Sequence, residues 1–476
     1  MADPIVLAFV HGWSVTSKDT YGELPEAVSA AATAAGVPVA LKNIYLGRYV
    51  SFHDEVQMDD LADAMEHAVQ TDLKGVETFS CITHSTGGPL VRRWVDRHYG
   101  DRLADCPLRH LIMLAPANHG SALAILGKAR VGRLQAWLSG VEPGQGILDW
   151  LCLGSSQAWQ LQDDYTGYAL AKSQLFPFVL GGETIDTRFY DFVNNYLVEP
   201  GSDGVVRLAG ANLNYTFFRL VQSEDRYEGN EDFGYQLKVV PRTKARPPPT
   251  PFCVVPNASH SGDRIGIMAS VTPQNANQKP VVARIVECLQ VEDQADYAAC
   301  ITSFANFTAA TQQANAQQYG GRIRRFVMFI FRISDDAGRM IGDYDLILLG
   351  DDFEPDGLPK GFFVDKQKNA SSQALVYYLD YDVLATTAHL GIRVDARPVY
   401  GTPDGKPTEF AGYMRAEFHL DKAAFDKWIR PNETVYVDIV LTRFVDSEAM
   451  RLEPLAKGRG SFKSTKPAGP IKQSDE

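Results

Sequence analysis

The stretch 79–99 constrains the fold more than any other part of the chain. Residues 78–83 (TFSCIT) are apolar or small and read as a buried strand, and 90–99 has the spacing of an amphipathic helix. Only His84-Ser85-Thr86-Gly87-Gly88-Pro89 separates them. Strand therefore passes into helix through one tight turn, which needs small residues where the two backbones approach. The rest of the first 290 residues keeps the same rhythm. Segments 5–10, 37–43, 111–115, 177–180 and 252–256 read as strands, and 24–35, 58–71 and 281–291 as helices. Continuous apolar runs such as IVLAFV fit parallel strands covered on both faces. Strand and helix in alternation imply a mostly parallel central sheet with helices on both sides.

Two stretches break the rhythm. Residues 121–170 hold apolar segments separated by glycines and read as a cap or lid over a site. Residues 241–251 (PRTKARPPPTP) read as an exposed loop inside the first domain. Residues 292–318 are rich in Ala and Gln and read as a connecting helix. Beyond Gly320 the texture changes: 326–333, 344–349, 374–381, 390–399, 411–420 and 434–444 are strand-like and separated by turn signals. This pattern implies a C-terminal antiparallel β-sandwich. The expected division is 1–295 for the α/β domain with its cap at 121–170, 296–320 for a helical connector and 321–456 for the sandwich. Residues 457–476, with five basic and two acidic residues, read as a flexible basic tail.

Charge and cysteines narrow the setting. The net charge is −12, and an acidic chain lacks the positive field that grips phosphate backbones, which argues against nucleic acid as a partner. The six cysteines (81, 106, 152, 253, 288, 300) show no CxxC and no zinc-like spacing. Several lie in apolar runs, so buried free thiols are expected. No run of 18 apolar residues is present, so no membrane-spanning helix is expected. The first apolar run has no basic region before it and no small-residue cleavage site after it. The expectation is a cytoplasmic protein, or one exported without a cleaved leader.

The turn at Ser85 carries the chemistry. Thr83-His84-Ser85-Thr86-Gly87 resembles the nucleophile elbow G-x-S-x-G, with threonine in place of the first glycine. Such a bend places a serine oxygen at a helix N-terminus, where free N–H groups favour developing negative charge. Serine needs a base and an orienting acid. Of the ten histidines, only His260, His389 and His419 lie beyond residue 200, and the last two fall in the β-rich part. His260 follows the apolar strand at 252–256 and is the expected base. Asp203, in Ser202-Asp203-Gly204-Val205-Val206, is the expected acid, with Asp186 and Asp191 as alternatives. His11-Gly12-Trp13 follows the first strand and resembles the His-Gly segment that donates one oxyanion N–H. By position, the donors are Trp13 and Thr86. His119, in the segment after the next strand, is expected to be structural. No metal-binding, P-loop or dinucleotide motif is present, so no metal and no cofactor is implied. The acidic stretch 351–356 reads as a solvated loop rather than a calcium site.

Together these four segments resemble the α/β-hydrolase superfamily, and within it the lipases and carboxylesterases. The resemblance covers residues 5–262 and implies hydrolysis of a carboxylic ester through an acyl-enzyme. Ser85 would be the nucleophile, His260 the base and acid, and Asp203 its partner. The apolar 121–170 segment favours lipid acyl chains, with Trp13, Trp137, Trp150 and Trp159 either lining the site or packed in the core, and transient contact with a membrane surface. A lipase domain without a leader, followed by a β-rich domain, also resembles bacterial type VI secretion phospholipase effectors. That layout would imply an immunity protein as partner. Two other readings remain open: an acyltransferase on the same scaffold, and a binding protein whose hydrolase fold is silent. If the first domain is self-contained, a fragment ending near residue 300 keeps activity on short-chain esters.

Overall fold

The computed structural model describes residues 4–11, 21–45, 55–124, 144–186, 200–227, 234–241, 245–401 and 409–446. The first sheet is built from β1 (Ile5–His11), β2 (Val39–Tyr45), β3 (Phe79–His84), β4 (Leu108–Leu114) and β5 (Phe176–Gly182). The chain then departs for β6 (Tyr215–Arg226) and β7 (Tyr235–Val239) and returns as β8 (Phe252–Val255). The first sheet has the order β2-β1-β3-β4-β5-β8. All five of its pairings are parallel.

Alternation along each strand feeds two cores. Leu7, Phe9, Ile82 and Leu180 face one side, where they meet α1 (Leu24–Ala34). Ala8, Val10, Cys81 and Val179 face the other, against α2 (Met58–Asp72) and α3 (Gly87–Tyr99). The described part of the expected cap holds α4 (Gln145–Leu151) and α5 (Ser156–Tyr165). Their Trp150 and Trp159 are buried in that second core. Residues 125–143, including Trp137, lie outside the described residues.

After β8 come α6 (Pro280–Leu289) and α7 (Gln294–Asn315). Both join the first of the two cores, through residues such as Ile285 and Phe304. The expected connector thus lies along the open edge of β8. There Thr308 Oγ accepts the N–H of Val254 (3.0 Å) and donates to the carbonyl of Phe252 (3.2 Å). A lone hydroxyl thereby satisfies one donor and one acceptor of an edge strand, groups that are costly to bury unpaired.

The C-terminal half is β-rich, as expected: β9 (Phe326–Asp335), β10 (Tyr344–Leu349), β11 (Phe363–Lys368), β12 (Leu375–Asp380) and β13 (His389–Ala396), then β14 (Ala411–Gly412), β15 (Ala416–Asp421), β16 (Thr434–Leu441) and β17 (Phe444–Val445). Most of these strands make one mixed nine-stranded sheet, ordered β10-β13-β15-β7-β6-β16-β9-β12-β11. Strands β14 and β17 pair separately. Two differences from the sequence-based expectation have one cause. The sheet includes β6 and β7, which come from inside the first 295 residues. Its centre is parallel, because β16 runs parallel to both β6 and β9. One face (Met328, Ile330, Tyr378, Tyr436) joins the core beneath α3 and α5, and the other (Val327, Phe329, Val435, Val437) forms a core of its own. Burial on both faces explains the apolar run Phe326–Phe331 of β9 and the burial of every residue of β16, Asp438 included, where an exposed sandwich strand would alternate.

Candidate active site

The carboxyl ends of the parallel strands carry the candidate residues, as expected for an open α/β sheet. Ser85 directly follows β3 at φ +54°, in the left-handed region that non-glycine residues seldom adopt. Its backbone is fixed on both sides. Its N–H donates to the Leu114 carbonyl (3.1 Å), and its carbonyl accepts from Gly88 (3.2 Å) and Ala117 (3.3 Å). The two glycines permit the turn. A Cβ on Gly88 would sit 2.6 Å from Cβ of Pro116, and one on Gly87 would sit 3.2 Å from Cβ of Thr83. Thr83 thus fills the place of the missing first glycine at ordinary backbone geometry, and the small residue needed on its far side is Gly87.

The chain brings Ser85, His260 and Asp203 together from three separate loops. His260 Nε2 lies 3.0 Å from Ser85 Oγ, and His260 Nδ1 lies 2.9 Å from Asp203 Oδ2. All three are sequestered, at 9%, 3% and 1% exposure respectively. A carboxylate only accepts, so Nδ1 carries the proton and Nε2 offers a lone pair to the serine hydroxyl. Asp203 Oδ1 accepts the backbone N–H groups of Val205 (2.9 Å) and Val206 (2.7 Å). These bonds hold the carboxylate's second oxygen and leave the first free to orient the imidazole. Thr86 follows Ser85 at the start of α3, where the first N–H groups of a helix have no intrahelical acceptor. Trp13 lies outside the described residues, as does the side chain of His11. Trp150 is packed in the core, with its carbonyl accepting Ser155 Oγ. The alternative acid Asp186 instead pairs with Arg264 at 3.1 Å. The other alternative, Asp191, lies outside the described residues.

Sequence reasoning left His84 and Arg207 without a role. His84 Nε2 lies 3.0 Å from the carbonyl oxygen of His260, and the two rings stand 4.6 Å apart. Burial, and then the adjacent His260, push the His84 pKa well below the usual imidazole range. His119 is structural: Nε2–H donates to the Asn212 carbonyl (2.6 Å), and the Tyr436 hydroxyl donates to Nδ1 (2.7 Å). Burial lowers its pKa to about 3. The acid loop is seated on the second sheet. Arg207 pairs with Asp365, and the Tyr378 hydroxyl donates to the carbonyls of Pro200 (3.2 Å) and Gly201 (3.3 Å). In the acidic stretch near residue 351, Asp351 Oδ1 accepts the N–H groups of Ala388 and His389, which makes it a loop tie. No group of three metal-binding side chains is found among the described residues. No helix among them is long and apolar enough to cross a membrane.

No protein-family model matches the chain, and no curated protein sequence matches it. Among solved structures, phospholipase PlaB from Legionella pneumophila is similar over almost its whole length. In complex with thio-NAD it is 40% identical, covering 97% of this chain and 99% of that chain, with a TM-score of 0.83. A second structure of PlaB is 41% identical over 96% and 97% of the two chains, with a TM-score of 0.84. At that identity, across both the parallel sheet and the nine-stranded one, the chain belongs to the family of phospholipase PlaB, within the α/β-hydrolase superfamily.

Proposed function

We propose that this protein hydrolyses carboxylic esters of lipids, phospholipids among them, by a serine mechanism with an acyl-enzyme intermediate. One observation carries the reading: a buried imidazole bridges a serine hydroxyl at 3.0 Å and a carboxylate at 2.9 Å. The name of the relative, a phospholipase, directs the choice of substrate class.

In this mechanism Ser85 Oγ attacks the ester carbonyl while His260 Nε2 takes its proton. The imidazolium that forms is stabilised by Asp203 through Nδ1–H. The tetrahedral oxyanion is bound by two backbone N–H groups, that of Thr86 at the head of α3, directly after the nucleophile, and that of Trp13. His260 then returns its proton to the departing alkoxide, which in a phospholipid is the glycerol oxygen. Water, deprotonated by the same Nε2, attacks the acyl-serine and releases the fatty acid. The strained backbone at Ser85 and the near-complete burial of all three groups pre-set the geometry and limit competing solvation.

The test compares wild type with Ser85→Ala on p-nitrophenyl butyrate and on phosphatidylcholine vesicles, with a fluorophosphonate probe counting reactive serines. Wild type should turn over both and bind one probe per chain. Ser85→Ala should do neither while keeping its melting temperature. Undiminished turnover by Ser85→Ala would overturn the assignment.

A further inference from the structure

We propose that His84 is a positioning residue: its bond to the His260 carbonyl holds the catalytic imidazole on the line between Ser85 and Asp203. The inference rests on the serine mechanism above and assigns a role to the residue next to the nucleophile.

His260 lies on the loop after β8, at the edge of the sheet, whereas Ser85 follows β3, with β4 and β5 in between. The base must therefore be carried across two strands to its partner, and a hydrogen bond to a serine hydroxyl alone is a weak tether. The structure supplies a second tie at each end. Asp203 grips His260 twice, by its carboxylate on Nδ1 (2.9 Å) and by its carbonyl on the His260 backbone N–H (3.1 Å). The dipeptide His84-Ser85 also grips it twice, by Ser85 Oγ at Nε2 (3.0 Å) and by His84 Nε2–H on the His260 carbonyl (3.0 Å). The peptide unit and the ring of one residue are thus held by the same two segments. Because His84 is joined to Ser85 by a peptide bond, and Ser85 is itself pinned to β4 through the Leu114 carbonyl, displacement of the His260 loop is read directly against the nucleophile.

The chemistry of His84 suits this role. A carbonyl only accepts, so the ring presents Nε2–H and stays in that tautomer. It must also remain neutral while His260 cycles through its imidazolium form, since a second cation 4.6 Å away would oppose that charge. Burial of the ring keeps it so.

The donor can be isolated with two side chains of nearly equal length. His84→Gln keeps an N–H able to reach the His260 carbonyl, and His84→Met fills the same space without a donor. Turnover of p-nitrophenyl butyrate is normalised to the end-point fraction labelled by fluorophosphonate, so only folded, reactive molecules count. His84→Met should lower kcat about 100-fold, the loss that a displacement of about 1 Å imposes, with KM within about twofold. His84→Gln should recover kcat to within about fivefold of wild type. Equal kcat for the two variants, or a loss carried by KM, overturns the inference. If His84→Met does not fold, His84→Phe makes the same comparison with glutamine. Ser85→Ala separates the two claims. If that variant is inactive and glutamine equals methionine, only the role of His84 falls; if it remains active, the serine mechanism falls.

Discussion

The Arg207 guanidinium lies 4.2 Å from the centre of the Tyr378 ring, so a residue four positions past Asp203 is seated on a strand from the far half of the chain. Arg207 also pairs with Asp365, and both it and its ring partner are buried. Beside them Gly201, at φ +73°, lies so close to Phe326 that a Cβ would come within 2.4 Å of its ring. The loop that carries Asp203 is therefore shaped by residues from the far half of the chain.

Removing either partner of this pair takes an opposite charge at hydrogen-bond distance from the other. Arg207→Met and Asp365→Asn should each lower the unfolding free energy in urea by about 2 kcal/mol, less than the cost of breaking a fully buried pair because Asp365 is partly exposed, and should lower kcat more than they raise KM. The double variant should lose much less than the sum. Additive losses would show that the two side chains do not depend on each other. The same geometry revises the expectation for a fragment ending near residue 300. Such a fragment lacks β9, β12 and β16, and should be inactive on short-chain esters because nothing seats the loop of Asp203.

Acid should unfold this protein through its buried histidines. The pKa of His110 is pushed down to about 4 by burial, in a site where Nδ1 meets Ser80 Oγ (2.7 Å) and Nε2 meets the Val291 carbonyl (2.8 Å). An unfolded histidine titrates near about 6.5. Between those values the unfolded chain binds the extra proton. The stabilisation is full above about pH 6.5 and is lost as pH falls towards 4, at about 1.4 kcal/mol per pH unit for one such group. His110→Gln should be less stable at pH 7 and show a shallower loss between pH 6.5 and 4.5. An unchanged slope in urea titrations at those pH values would refute the assignment.

Thr83 occupies the first position of the elbow, and its hydroxyl is buried without a hydrogen-bond partner among the described residues. Valine has the same shape and no polar atom. Thr83→Val should raise the unfolding free energy by about 1 kcal/mol, since an unpaired buried hydroxyl costs at least that, with turnover unchanged. A fall in stability would mean that the hydroxyl has a partner.

The two glycines of the elbow should differ in sensitivity. Gly88→Ala brings its methyl to 2.6 Å from Pro116 and must move α3, whereas Gly87→Ala meets Thr83 at 3.2 Å. Gly88→Ala should cost about 2 kcal/mol from overpacking and lower kcat sharply, and Gly87→Ala should do less of both. The reverse ranking in melting temperature and kcat would refute this packing account.

What was legible in the sequence was local. A strand running into Ser85 and out through two glycines is written in ten residues, and the parallel sheet follows from alternation of apolar runs. His260 and Asp203 could be named because each follows a strand or a turn with few competitors. Long-range pairing was not legible. The run at 215–221 is rich in aromatic and β-branched residues and had the signal of a strand, yet nothing local says that it lies beside β16, more than 200 residues away. Arg207 and Asp365 are 158 positions apart, and His84 finds its acceptor 176 positions away. The polar–apolar alternation expected of a sandwich is absent from β16 because that strand is covered on both sides.

The excursion of β6 and β7 also bears on how the molecule comes into being on the ribosome. Strand β6 is flanked on one side by β16, so its place is empty until residue 441 has been synthesised. His260 lies downstream of β7, so its segment is made after both strands of the excursion. A nascent chain with Ser85, Asp203 and His260 already exposed still has no platform for the loop between β5 and β6. The seat of the Asp203 loop is therefore complete only once β16, the last strand of the nine-stranded sheet, is in place.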